Sequence, residues 1–180
     1  MKTHLTIPVL IGLLLISCDC NDDDIQPNAG FEIFRVDTPY FHDIQKDYST
    51  LDLDTIALEE TPLLRYDDIL KYDTGSHKLT LGISHDSLKI MELSFDEKYS
   101  SMFMVTLDND PIYCGWFWNG GFSRPVNWVY IDEPHYEIDS LEDNEIDIKF
   151  HYQSDYWQKD PDPRLNPRIF ERLAKDGKIE

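Results

Sequence analysis

The chain has 180 residues and carries 16 Lys and Arg against 35 Asp and Glu, a formal net charge of −19 at pH 7. So strong a negative field repels phosphate backbones and no basic run offsets it, so we expect no nucleic-acid partner. The length suits one domain with a core of its own.

The first seventeen residues have the pattern of an export signal. Met1 and Lys2 precede a run that is apolar from Leu5 to Ile16. That run is too short for a membrane-spanning helix, which needs about 20 apolar residues. An ordinary secretory signal that is cleaved after the small residue Ser17 fits the pattern.

The stretch Leu15, Ile16, Ser17, Cys18 resembles a bacterial lipoprotein signal. The resemblance implies cleavage before Cys18 and diacylglycerol on its sulfur, so that a lipid would tie the mature chain to a membrane. Residues 18–30 begin with an acidic run, which predicts a disordered tether.

The acidic run bears on the address of the protein. A similar stretch behind the lipidated cysteine of Bacteroidota lipoproteins marks display on the outer face of the outer membrane. In enteric bacteria, aspartate directly after the cysteine instead implies retention at the inner membrane. The repeated aspartates from Asp22 to Asp24 favour the first alternative, an outer-membrane and surface-exposed location.

Removal of residues 1–17 leaves 15 basic and 35 acidic residues, a formal charge of −20. Such a surface is repelled by anionic lipid, so the acyl chains alone would hold the protein at a membrane. The charge suits a basic partner, cations or plain solubility.

Three cysteines are present. Cys18 is assigned to the lipid, Cys20 lies in the tether, and Cys114 lies in a strand-like run. A disulfide between Cys20 and Cys114 fits an oxidising compartment, but a buried free thiol at Cys114 is favoured because nothing docks the tether. The sequence contains no Cys-x-x-Cys pair, so it gives no support for thiol redox chemistry or a zinc site.

Residues 31–180 are predicted to form a single α+β domain, a predominantly antiparallel sheet of about six strands with a C-terminal helix. Apolar alternation or short apolar runs indicate strands at 31–36, 51–58, 77–83, 102–107, 112–118, 126–131 and 145–151.

Turn and helix patterns complete the prediction. The polar cluster 108–111 predicts a hairpin turn, residues 63–72 a short helix or turn, and residues 84–99 stay ambiguous. Asn166 and Pro167 predict a helix start, and Gly177 its end.

Two stretches, 61–81 and 103–118, resemble a family of small exported bacterial proteins and lipoproteins of uncharacterised activity. Its members share a Pro-aliphatic-aliphatic stretch, then Asp-Ile-x-x-Tyr-Asp and a nearby His, and later Ile-Tyr-x-Gly-x-Phe-Trp. This resemblance implies no catalytic residue. A fainter similarity, to the periplasmic domain of the SecD translocation subunit, implies an α+β fold and an interaction role.

An aromatic cluster is the best candidate for a binding site. Trp116 and Trp118 share one face of a predicted strand, and stacked aromatic rings beside carboxylates suit a sugar. The alternative is that the rings pack the sheet against the C-terminal helix. The candidate ligand-binding residues are Tyr113, Trp116, Trp118 and Trp128.

Other chemistry has little support in the sequence. Asp52 with Asp54, and residues 108–110, offer oxygens for Ca²⁺ without a complete ligand set, and the histidines lack metal-ligand spacing. No catalytic motif is present. We therefore expect no metal, no cofactor and no catalytic residue. The predicted role is a lipid-anchored, non-catalytic interaction domain with a possible protein or glycan partner; the alternatives are a glycan- or small-ligand-binding lipoprotein and a small hydrolase.

Overall fold

A computed structural model describes residues 30–37, 40, 42–88, 101–118, 125–132, 144–152 and 161–180. The predicted signal, and the tether up to residue 29, lie outside these residues. The strands and the helix are β1 (Phe31–Arg35), β2 (Ile69–Asp73), β3 (Lys78–Leu81), β4 (Met102–Leu107), β5 (Asp110–Trp118), β6 (Val126–Asp132), β7 (Glu145–Tyr152) and α1 (Pro167–Lys175).

The seven strands form one sheet in the order β1-β4-β5-β6-β7-β3-β2. Every neighbouring pair is antiparallel except β5 and β6, which are parallel. The sheet is strongly curved, since Phe31 on one edge strand packs on Tyr72 on the other with ring centroids 6.1 Å apart. The predicted α+β class, mainly antiparallel with a C-terminal helix, is confirmed with seven strands.

The β4–β5 hairpin closes more tightly than its polar cluster predicts. Asp108 and Asn109 both have positive φ, 50° and 69°, and Leu107 pairs directly with Asp110. A two-residue loop with positive φ at both positions matches the right-handed twist of the strands, and Asp and Asn tolerate that conformation. The strand therefore begins at Asp110, within the predicted turn.

The predicted strand over 51–58 is wrong. Residues Tyr48–Thr50 and Leu53–Thr55 form 3₁₀ turns, and only Leu58 makes an isolated bridge, to Val36. Asp47 caps the first turn by accepting the backbone N–H of Ser49. The alternating leucines therefore serve an irregular segment that lies on the sheet.

Residues 63–72 combine a 3₁₀ turn at Tyr66–Asp68 with β2, where the sequence predicted only a helix or turn. A bulge between Ile69 and Lys71 lets Ile69 and Tyr72, three positions apart, both be buried. That spacing imitates a helix. Residues His85–Leu88 form another 3₁₀ turn, whereas residues 89–100, which include most of the ambiguous stretch, lie outside the described residues.

Helix α1 begins and ends where the sequence predicts. Asn166 caps it by accepting the backbone N–H of Arg168 at 3.0 Å, and Gly177 follows it with φ of 69°. Ile169 and Leu173 are fully buried against the sheet. The helix thus closes one side of the core.

Candidate functional site

The four candidate aromatic residues all lie inside the protein. Their exposed fractions are 2% for Tyr113, 0% for Trp116, 3% for Trp118 and 3% for Trp128. No indole face is therefore offered to a ligand at the surface, and ligand binding by Trp116 and Trp118 stays a prediction that requires their cover to move.

That cover is an irregular segment rather than the C-terminal helix. His42 meets the rings of both Trp116 and Trp118 at centroid distances of 5.2 Å. Tyr48 packs edge-on against Trp116 at 5.4 Å. The two indoles thus share a face, as the strand period predicts, and residues 42–48 close that face.

Asn127 fastens the cover to β6. Its amide nitrogen donates to the carbonyls of Ile44 at 2.9 Å and Lys46 at 3.0 Å. Its amide oxygen must then face Nε2 of His42, 3.0 Å away, so that nitrogen carries the proton. Burial lowers the pKa of His42, which keeps the ring neutral at pH 7.

Three polar atoms of the cluster are buried without a hydrogen-bond partner in the described part of the chain: the Tyr113 hydroxyl and the Nε1 atoms of Trp116 and Trp118. Buried polar groups are normally satisfied, so such atoms call for an explanation. Burial of a polar atom without a hydrogen bond lowers stability, and packing of the aromatic rings offsets part of that loss.

The sheet opens along β5. Trp116, Phe117 and Trp118 pair with β6. The residues of β5 before Trp116 have no described pairing with β6. There the indole of Trp128 fills part of the gap, donating from Nε1 to the Cys114 carbonyl at 2.9 Å. Residues 110–114, which we call the open half of β5, therefore have no strand neighbour on the β6 side among the described residues.

A pocket of about 220 Å³ lies beside this open half. Tyr113 and Trp128, two of the four predicted residues, belong to its wall. The 3₁₀ turns contribute Tyr48, Ser49, Leu51 and Leu53, β5 adds Ile112 and Cys114, and the stretch before α1 adds Pro161 and Pro163.

The Cys114 thiol and the Tyr48 hydroxyl in the pocket wall are not activated for catalysis. Burial raises the pKa of the Cys114 thiol to about 11 and that of the Tyr48 hydroxyl to about 12, so both are protonated at neutral pH. Cys114 is a buried free thiol, which suits packing rather than nucleophilic chemistry. The wall can bind but offers no activated group.

A second polar cluster links β2 to the stretch before α1. The Tyr72 hydroxyl is 2.7 Å from Nδ1 of His77, whose pKa is lowered by burial and then by the charge of Arg164. Arg164 pairs with Asp162 at 2.7 Å and donates to the Ile148 carbonyl at 2.6 Å. These contacts anchor the stretch before α1 to β7, a structural role.

The acidic residues of the 108–110 turn, which the sequence offers as candidates for Ca²⁺, form ion pairs with arginines of α1. Asp108 pairs with Arg172 at 3.1 Å and Asp110 with Arg168 at 2.6 Å. Within the described ranges, no three His, Cys, Asp or Glu side chains gather as a metal site. Across those same ranges, none of the helices has the length and apolar character needed to cross a membrane.

Sequence reasoning missed most of the pocket. It identified Tyr113 and Trp128 through their aromatic character, but it assigned Leu51 and Leu53 to a strand. The alternation of Leu51 and Leu53 correctly indicated residues that pack against the core, but it wrongly predicted that they lie on a strand.

Comparison with known proteins gives no family for this chain. No protein-family model matches it. No curated protein and no solved structure is significantly similar to it. The functional conclusion therefore rests on the residues and their geometry alone.

Proposed function

We propose that this protein is an exported, lipid-anchored interaction domain without catalytic activity, held on the outer face of the outer membrane. The observation that carries the proposal is the stretch Leu15 to Cys18, a lipoprotein-type cleavage and acylation sequence. Two or three acyl chains hold a protein at a membrane effectively without release, since one chain alone binds only marginally.

The start of the domain supports a short tether. The described fold begins at Gly30, twelve residues after Cys18. A chain of that length reaches at most about 40 Å when fully extended. Because the Gly30 carbonyl accepts the backbone N–H of Asp108 at 3.0 Å, the tether meets the domain at the tip of the β4–β5 hairpin.

The charge distribution supports a basic partner. Six basic side chains of the described residues are engaged in ion pairs with acids of the same domain, so their charges are locally balanced. The remaining acidic excess of the mature chain then sets the long-range field, which attracts a positively charged surface. The pairs are Arg35–Glu59, Lys78–Glu145, Lys149–Asp132, Arg164–Asp162, Arg168–Asp110 and Arg172–Asp108.

Metabolic labelling with an alkyne analogue of palmitate tests the anchor. The wild-type chain should take up the label and partition into detergent. Cys18→Ala should lose both properties, and Cys20→Ala, two positions along, should keep them. Equal labelling of wild type and Cys18→Ala would overturn the proposal.

Protease treatment of intact cells tests the membrane face. A surface-exposed domain should be degraded while a periplasmic control protein survives. Protection of the domain until the outer membrane is opened would instead support the inner-facing address. Surface crosslinking followed by mass spectrometry would then identify the partner, which we expect to be basic.

A second candidate function is the binding of a small ligand by the same anchored domain. The pocket beside the open half of β5 favours it, since Tyr113 and Trp128 line that pocket together with Tyr48. Pockets with apolar and aromatic walls are the usual form of small-molecule sites. This function would be established by a small molecule that binds the wild-type protein and no longer binds when a larger side chain fills the pocket.

A further inference from the structure

We infer that the pocket between the 3₁₀ turns at 48–55 and the open half of β5 binds a small uncharged ring compound, aromatic or alicyclic. The inference rests on the second candidate function and specifies its ligand. It is independent of whether Cys18 carries lipid.

The size of the pocket sets the size of the ligand. Its volume is about 220 Å³. An apolar cavity of about 150 Å³ is enough to hold benzene. The pocket therefore accepts one six-membered ring with a short substituent, and an extended chain of sugars would not fit within it.

The wall selects against charge. Its ten described residues include no Asp, Glu, Lys, Arg or His. An ion would lose its water without gaining a counter-charge, which is costly in an apolar site.

The overall field acts against anions as well. The mature chain carries a formal charge of −20, so an approaching carboxylate or phosphate is repelled. The described lining residues include no basic side chain that would offset this repulsion. A neutral ligand meets neither penalty.

The shape and polarity of the wall favour a ring. The flat side chains of Tyr48, Tyr113 and Trp128 stand with Pro161 and Pro163 around the space. The Ser49 hydroxyl already donates to Asp47 at 2.6 Å, and the Tyr48 hydroxyl is occupied by the backbone of Asp43. Few polar atoms are left for the many hydroxyls of a sugar, whereas an apolar ring can pack against the largely apolar wall without leaving hydrogen bonds unmade.

Binding of three probes of similar size and different charge to the purified protein tests the inference. They are 4-fluorobenzyl alcohol, 4-fluorobenzoate and 4-fluorobenzylamine, with binding followed by ¹⁹F line broadening. The alcohol should bind about tenfold or more tightly than either charged probe. Equal affinities for all three, or no binding of the alcohol at millimolar concentration, would overturn the ligand class.

Two neighbouring exposed positions give a matched pair of variants. Ser49 lines the pocket, so Ser49→Trp should fill its mouth and weaken alcohol binding by about tenfold or more. Thr50 lies outside the lining set, so Thr50→Trp should leave affinity unchanged. Equal affinity of the two variants would overturn the site.

A second pocket-filling variant keeps the test valid if Ser49→Trp does not fold. Leu53→Phe places extra volume in the same pocket from a half-buried position, and its thermal unfolding should stay cooperative. It should also weaken alcohol binding. Unchanged binding in folded Leu53→Phe would contradict the assignment. Binding of glucose that is lost in Ser49→Trp would show that the pocket binds a polyhydroxylated ligand, so that the second candidate function would stand while this inference failed.

Discussion

The two halves of β5 differ in what surrounds them. Residues Trp116–Trp118 pair with β6, and the indoles of Trp116 and Trp118 lie under residues 42–48. Residues 110–114 pair with β4 and with no other described strand, and residues 112–114 line the pocket. One strand thus belongs to a closed, aromatic core at its end and to an open wall at its start.

The comparison separates a closed half, which we expect to set the stability of the domain, from an open half, which borders the proposed binding pocket. Burial of large aromatic rings contributes most where all sides are covered. In the open half, the Cys114 carbonyl has no partner from a described neighbouring strand. The indole N–H of Trp128 donates to it instead, which lowers the free-energy cost of the unpaired edge. We expect substitutions in the closed half to change stability and those in the open half to change binding.

The largest effect is expected for Trp116→Ala. Removal of a fully buried indole should lower the free energy of unfolding by about 3–5 kcal/mol. Ile112→Ala, at a half-buried wall position, should cost less than about 2 kcal/mol. Urea denaturation of both variants measures the difference, and similar losses would erase the contrast between the halves.

Gly115 lies at the boundary between the halves. A Cβ atom there would stand 2.2 Å from Cζ of Phe103, which is buried and cannot withdraw freely. Gly115→Ala should therefore cost about 1–3 kcal/mol by overpacking. Gly82→Ala is the control, since its nearest neighbour would be 3.5 Å away. A tolerated Gly115→Ala would mean that the closed half is loosely packed.

The arginines of α1 hold the hairpin that starts the open half. Arg172 is 15% exposed, pairs with Asp108 and Asp176, and covers the Tyr66 ring. Arg172→Ala should cost about 1 kcal/mol, but Arg168→Ala, at 51% exposure, should change stability by less than about 0.5 kcal/mol. Thermal unfolding of the two variants should rank them in that order; the reverse ranking would contradict the assignment.

Acid should weaken the cover of the closed half. The pKa of His42 is lowered from 6.5 in the folded protein, so the unfolded chain binds the proton more readily. Stability should therefore fall as the pH drops below about 6.5. His42→Gln should show a smaller loss between about pH 7.5 and about pH 5.5 than wild type, with His77 retained in both. An identical pH dependence would show that His42 does not contribute.

Local patterns predicted the elements whose determinants are local. The Asn166 cap and Gly177 fix α1, and Asp108 with Asn109 fixes the hairpin turn. The strand at 69–73 escaped prediction because a bulge gives its buried residues a helical spacing. The leucine alternation at 51–53 suggested a strand although no neighbouring strand exists to pair with it in the described fold.

The candidate site depends on long-range contacts, which single-sequence patterns do not contain. His42 meets Asn127 across 85 positions of the chain. The opening between β5 and β6 follows from a parallel pairing that no local motif announces. Aromatic content could therefore identify Tyr113 and Trp128, but not the turns and prolines that complete the wall.

Titration of ¹⁵N-labelled protein with 4-fluorobenzyl alcohol tests the contrast most directly, through the indole N–H signals of the four tryptophans. The Trp128 signal, whose N–H donates to Cys114 at the open half, should shift with saturation. The Trp116 and Trp118 signals should stay in place. Shifts of Trp116 and Trp118 with an unmoved Trp128 would contradict the account.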